Sequence, residues 1–238
     1  FTFYKQWNKL KAYVNSLGIR MIGDIPIYVA MDSADAWANP SLFQLDEKNV
    51  PYAVAGCPPD GFSATGQLWG NPLYRWEYHR QTGYEWWLKR LSHCFKLYDA
   101  VRIDHFRGFD QYYSIPYGAE DATRGHWEQG PGIDLFNRVR QVLGEKEVIA
   151  EDLGYVTDSV RKLVYDSGFP GMKVLEFAFD SRDSGCANDY LPHNYPENSV
   201  AYTGTHDNET LAGWFDSITK EEQNMVRDYL CDHYTPKK

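Results

Sequence analysis

Residues 100–108 read AVRIDHFRG. A short apolar, β-branched run that closes on a carboxylate predicts a buried strand. Strand side chains alternate, so Val101 and Ile103 face one way and Arg102 and Asp104 the other. With the apolar pair packed against surrounding helices, Arg102 and Asp104 point inward together. Four more stretches share this character: residues 19–24 (IRMIGD), 147–151 (EVIAE), 173–179 (KVLEFAF) and 199–207 (SVAYTGTHD). Amphipathic segments separate them. Thr82 with Glu85 spells a capping box, and Tyr84, Trp87, Leu88, Leu91, Phe95 and Tyr98 recur at helical spacing. Residues 134–143 and 157–167 predict further helices, and Thr219 with Glu222 offers a second capping box before a last one over 221–230. Strands alternating with helices make an α/β chain with a parallel sheet.

The 238 residues carry 24 basic and 33 acidic side chains, a net charge of −9. That balance offers no electrostatic footprint for a phosphate backbone, so nucleic acid is not an expected partner. No apolar run approaches the ~20 residues of a membrane-spanning helix, and no membrane partner is expected. Cys57, Cys94, Cys186 and Cys231 are scattered without a CxxC pair, which argues for reduced thiols in a cytoplasmic protein. The chain opens at Phe1 within a segment of structured character, so a piece of a longer protein is expected. Aromatic residues reach 16%, and flat side chains with a polar tip suit wet surfaces that stack on sugar rings. An aromatic-rich core and rim is the plainer explanation of the same figure.

One connection breaks the rhythm. Residues 29–78 are rich in Pro, Gly, Asn and Asp and show no periodicity. A structureless stretch of this length is expected to be a lid or binding loop, with a small structural subdomain as the alternative. Because it follows a strand, it should rise from the C-terminal edge of the sheet, where α/β barrels keep their active sites.

Three strand-end carboxylates stand out as candidates, namely Asp104, Glu151 and Asp207. Arg102 beside Asp104 would keep that carboxylate ionised and oriented, as a retaining glycosidase nucleophile requires. Its partner is a protonated carboxyl about 5–5.5 Å away. Glu151 fits, because the apolar Val148, Ile149 and Ala150 before it would desolvate it. A single strand-end Asp is ordinarily a helix cap or salt-bridge partner, but a barrel would converge all of these carboxylates. His105 and His206 adjoin Asp104 and Asp207, a pairing also found at metal centres. No HxH or HExxH pair accompanies them, so no metal is expected.

The segments VRIDHFRGF, VIAEDLG, TGTHDNET, GDIPIYVAMDSADAWANP and AGCPPDGFSATGQLWGNPLYRW resemble the amylomaltase family of 4-α-glucanotransferases. These are also called disproportionating enzymes, glycoside hydrolase family 77, within the α-amylase group. The motifs run from Gly23 to about Trp214 in the family's order. The resemblance implies a partial (β/α)8 TIM barrel, roughly strands 3 to 7, in which residues 1–238 form one catalytic domain with an active-site loop insertion at about 30–78. It implies Asp104 as nucleophile, Glu151 as general acid/base and Asp207 as transition-state stabiliser. Arg102, His105 and His206 are similar to the family's sugar-binding and nucleophile-orienting neighbours. Asp60, Gln67 and Trp69 match residues along the glucan path, and Asp152 a further substrate contact.

Residues and resemblance meet in a retaining transfer of α-1,4-glucan between donors and acceptors, maltooligosaccharides or glucose, without a cofactor. The alternatives are an α-amylase-like hydrolase, which passes the glycosyl unit to water, and a non-enzymatic glucan-binding module.

Overall fold

Short runs rich in Val and Ile pair in parallel in the computed structural model of the chain, which describes residues 1–60, 63–154, 156–181 and 187–232. Two compact units result, Phe1–Asp152 with Val156–Pro170, and Leu153–Tyr155 with Gly171–Lys238. The first contains α1 (Thr2–Ser16), β1 (Ile22–Ile25), α2 (Ala34–Ala38), β2 (Ala53–Cys57), β3 (Gln67–Pro72), α3 (Trp76–Gln81) and α4 (Glu85–Leu97). It continues through β4 (Ala100–Ile103), β5 (Gln111–Pro116), β6 (His126–Gln129), α5 (Ile133–Leu143), β7 (Val148–Ala150) and α6 (Asp158–Ser167). β4 lies between β1 and β7, with Asp24 opposite Arg102 and Arg102 opposite Ile149. Val101, Ile103 and Ala150 are fully buried, together with Trp87 and Leu91 of α4 and Leu135 of α5. Phe106, Phe109 and Phe136 pack into the same core at centroid distances of 4.8–5.6 Å.

The ends of α6 follow local chemistry. The Thr157 side chain accepts from the Val160 N–H, and Gly168 closes the helix in the left-handed region at φ 72°, which a glycine enters without steric cost. Thr82 departs from expectation. Its hydroxyl donates back to the carbonyls of Tyr78 and His79 and so finishes α3, while Tyr84, at φ 60°, stands before α4 without a side-chain cap. A hydroxyl between two helices can serve either end, and here the two orphan carbonyls take it.

The stretch 29–78 is built rather than structureless. It supplies α2, β2, β3 and the first half of α3, and β2 and β3 join β5 and β6 in an antiparallel sheet of order β3-β2-β5-β6. Gly56 makes the β2–β3 pairing close: a Cβ there would lie 2.0 Å from the Gln67 carbonyl oxygen. The strands that complete this sheet come from residues 111–129, so no local pattern within 29–78 announces it.

The second unit contains β8 (Gly171–Val174) and β9 (Ser199–Tyr202), parallel and in register from Gly171–Ser199 to Val174–Tyr202, then α7 (Leu211–Ser217) and α8 (Lys220–Leu230). Two predicted strands are shortened. KVLEFAF leaves the sheet after Val174 and winds into a 3-10 helix over Leu175–Phe179, which buries Glu176, Ala178 and Phe179. SVAYTGTHD leaves it after Tyr202, because the Thr205 N–H and hydroxyl both donate to Asn208 Oδ1 and fold the chain into a turn. Among the described residues no helix is long and apolar enough to cross a membrane. Cys57, Cys94 and Cys231 are free thiols, while Cys186 lies outside the described residues.

The capping box of α8 forms as predicted, with reciprocal bonds between Thr219 and Glu222, and Glu222 Oε1 also accepts from the Ser181 N–H and hydroxyl. Burial alone would raise the Glu222 carboxyl, but the backbone donors of Ser181 and Thr219 outweigh it and hold the group at about 2 against an ordinary 4.5. A depressed folded-state value means that the carboxylate contributes fully above pH 4.5 and progressively less as the pH falls towards 2. Glu222→Ala is expected to cost about 1–2 kcal/mol at pH 7. Thermal melts should show the difference from the parent narrowing between pH 4.5 and pH 2; a difference that stays constant over that range would exclude the ionised cap.

Candidate active site

The parallel ladder carries two carboxylates to the same edge of the first unit's sheet. The Asp104 N–H donates to the Ile25 carbonyl at 2.9 Å, and the Glu151 N–H donates to the Ile103 carbonyl at 3.1 Å, each one residue past its strand. Side-chain alternation holds. Val101 and Ile103 are buried on one side, and on the other Arg102 Nη2 donates to Asp104 Oδ1 at 2.9 Å. Arg102 Nη1 donates to both oxygens of Asp24, at 2.7 and 2.8 Å. Burial works against the guanidinium charge, yet Asp24 first, then Asp104 and Glu151, outweigh it and raise its pKa further. The clamp therefore keeps a permanent positive charge beside Asp104.

His105 turns the chain immediately after Asp104, in the left-handed region at φ 52°. A non-glycine residue held there stores about 1–3 kcal/mol of strain. The turn aims the His105 N–H at Glu151 Oε2, 2.7 Å away, and the Phe106 N–H at the Glu151 carbonyl, 2.9 Å away. Burial, and after it the Arg107 charge, push the His105 imidazole down to about 3, so it is neutral at pH 7. Its Nε2 has no hydrogen-bond partner among the described residues. Gly108 permits this packing, since a Cβ there would meet Ile27 Cδ1 at 2.7 Å and His105 Cδ2 at 3.1 Å.

The antiparallel sheet reaches the same place. Trp69 on β3 meets the His105 ring edge-to-face at 4.8 Å, and its indole N–H donates to Gln67 Oε1 at 3.0 Å. Asp60 closes the loop before β3, its Oδ1 accepting from the Ser63 N–H at 2.8 Å. The Cys57 thiol, pushed up to about 12 chiefly by burial, feels the charges of Arg107, Asp60, Glu151 and Asp104. Asp152 follows Glu151 and is half-buried. In the second unit, His206 Nε2 and Asp207 Oδ2 lie 3.4 Å apart on the exposed turn after β9, and the Asp207 N–H donates to Thr205 Oγ1. The first unit thus gathers Arg102, Asp104, His105, Glu151, Gln67 and Trp69; the second pairs His206 with Asp207.

Sequence reading passed over Asp24, although its strand, IRMIGD, also closes on a carboxylate. It is the residue that anchors Arg102. The first unit offers a carboxylate held beside a fixed cation, a second carboxylate oriented by a backbone N–H, a neutral imidazole and an amphipathic ring. That set suits a polyhydroxylated ring and displacement at an electrophilic carbon.

Residues 1–238 match a family model described as 4-alpha-glucanotransferase. A 4-alpha-glucanotransferase of Streptococcus pneumoniae serotype 4 is 52% identical over 238 residues, which are 100% of this chain and 46% of the relative. One from Clostridium butyricum is 51% identical over 232 residues, 97% of this chain and 47% of its own. Among solved structures, the amylomaltase from Streptococcus agalactiae in complex with acarbose superposes with a TM-score of 0.93 at 45% identity, over 99% of this chain and 47% of that one. The chain therefore spans about half the length of the relatives it matches.

Proposed function

This chain belongs to the 4-alpha-glucanotransferase family, and we propose on that premise that it carries the reacting groups of a retaining transfer of α-1,4-glucan segments. The observation that carries the reading is the pairing of Asp104 with the Asp24-anchored Arg102 beside a Glu151 oriented by the His105 N–H. Asp104 attacks the anomeric carbon while Glu151 protonates the departing glucan oxygen, which leaves a glycosyl ester on Asp104. Glu151 then takes the proton of an incoming sugar hydroxyl, which displaces Asp104 with the original stereochemistry. Asp207, paired with His206, binds donor-ring hydroxyls more tightly as the ring flattens towards the oxocarbenium ion.

Arg102 and neutral His105 orient the nucleophile and contact the donor ring. Trp69, Gln67 and Asp60 line the glucan path, and Asp152 adds a further substrate contact. The parallel strands are read as roughly strands 3 to 7 of a (β/α)8 barrel, with residues 1–238 one partial catalytic domain and the segment at about 30–78 inserted at its active-site end. Donors and acceptors are maltooligosaccharides and glucose, and the chemistry calls on no cofactor.

Maltotriose supplied to the full-length protein tests the reaction. Transfer yields glucose together with maltooligosaccharides longer than the starting trimer; products no longer than the trimer would mean that water is the acceptor and that the enzyme is a hydrolase.

A further inference from the structure

Glu176 is a buried acid that the proposed reaction does not use. Its side chain is 3% exposed, its Oε1 has no hydrogen-bond partner, and no ion pair holds it among the described residues. Burial, and after it the negative charge of Glu209, raise its pKa and favour the neutral acid. The carboxyl group lies against Gly204. A Cβ built there would sit 2.9 Å from Glu176 Oε1 and 3.0 Å from both Cδ and Oε2. The Glu176 N–H donates to the Thr203 carbonyl at 3.1 Å, so main chain and side chain of this one residue both meet the start of the turn. That turn, closed by Thr205 onto Asn208, carries His206 and Asp207.

We propose that Glu176 is a positioning residue, whose buried carboxyl group sets through Gly204 the direction in which the turn presents Asp207. The inference rests on the reading of Asp207 as transition-state stabiliser. Gly204 places no side chain between the carboxyl group and the turn backbone, so a Glu176 side chain held in place by its own burial bears directly on that backbone. Burial first, and then the Glu209 charge, both work against the carboxylate form at this position.

The test uses the full-length protein with maltotriose. Glu176→Ala and Gly204→Ala, the first withdrawing the support and the second pushing against it, are each expected to lower kcat by about 10- to 100-fold with little change in KM, the effect of misplacing a catalytic group by about 1 Å. Glu176→Gln, neutral and of the same shape, should keep kcat within about threefold of the parent. In the double variant the alanine methyl group at 204 occupies space that the carboxyl group vacates, so its kcat should exceed that of either single variant. Should Glu176→Ala fail to fold, Glu176→Gln and Gly204→Ala still decide, because parental kcat in Gly204→Ala overturns the inference. Asp207→Asn separates the two levels. If it is inactive while Glu176→Ala turns over like the parent, the positioning role falls and the reading of Asp207 stands. If Asp207→Asn retains parental kcat, the reading of Asp207 falls and takes the inference with it. On the residual turnover of Asp207→Asn, read by single-turnover measurement at high enzyme concentration, adding Glu176→Ala should cause no further loss, and a multiplied loss would also overturn the inference.

Discussion

Asp104→Asn is expected to lower transfer from maltotriose by about 10³-fold or more, with the fold and substrate binding retained. The amide keeps an oxygen that can accept from Arg102 Nη2, and Arg102 stays anchored by its two bonds to Asp24, so the local geometry survives the change. In the proposed mechanism the change removes the nucleophile, since a neutral amide forms no glycosyl ester. Two measurements check this. Turnover should collapse, and calorimetric titration of the variant with maltotriose should still give binding close to that of the parent. Transfer within about tenfold of the parent would remove Asp104 from the nucleophile's role.

Much of this site is legible in the sequence because it depends on local rules. Alternation along AVRID places Arg102 and Asp104 on one face, and the structure joins them there at 2.9 Å. The capping box of Thr219 and Glu222 is likewise read from spacing and found in place. The misses have physical causes of three kinds. Thr82 and the turn at Thr205–Asn208 are decided by competition between a side-chain oxygen and a ladder or cap bond, and both outcomes fit the same residues. The sheet built from 29–78 is non-local, since β2 finds one partner in β3 and the other in β5, more than fifty residues away. The contact of Trp69 with His105 follows from that pairing and lies beyond any pattern in QLWGNP alone. Asp24 and Glu176 belong to a third category. Both acids stand within predicted strands, but their importance lies in partners, Arg102 and Gly204, that only three-dimensional packing reveals.

Glu151→Gln should separate the acid/base from the other two carboxylates through its response to the leaving group. A glucan oxygen departs badly as an alkoxide, so loss of the acid should lower transfer from maltotriose by roughly 10²–10⁴-fold. An α-glucosyl fluoride departs without protonation, and on that donor the variant should form the covalent intermediate at a rate near the parent's. Gln keeps an oxygen to accept from the His105 N–H, so the turn that carries His105 behind Asp104 remains in place. The second step then stalls, because Gln cannot take the proton of the acceptor hydroxyl. The glycosyl-enzyme on Asp104 should accumulate and appear as added mass on the intact protein. Asp207→Asn should show no such rescue, because transition-state binding is needed whatever group departs. Equal impairment of Glu151→Gln on both donors, or an adduct trapped by Asp207→Asn instead, would mean that the proton is delivered by a different residue.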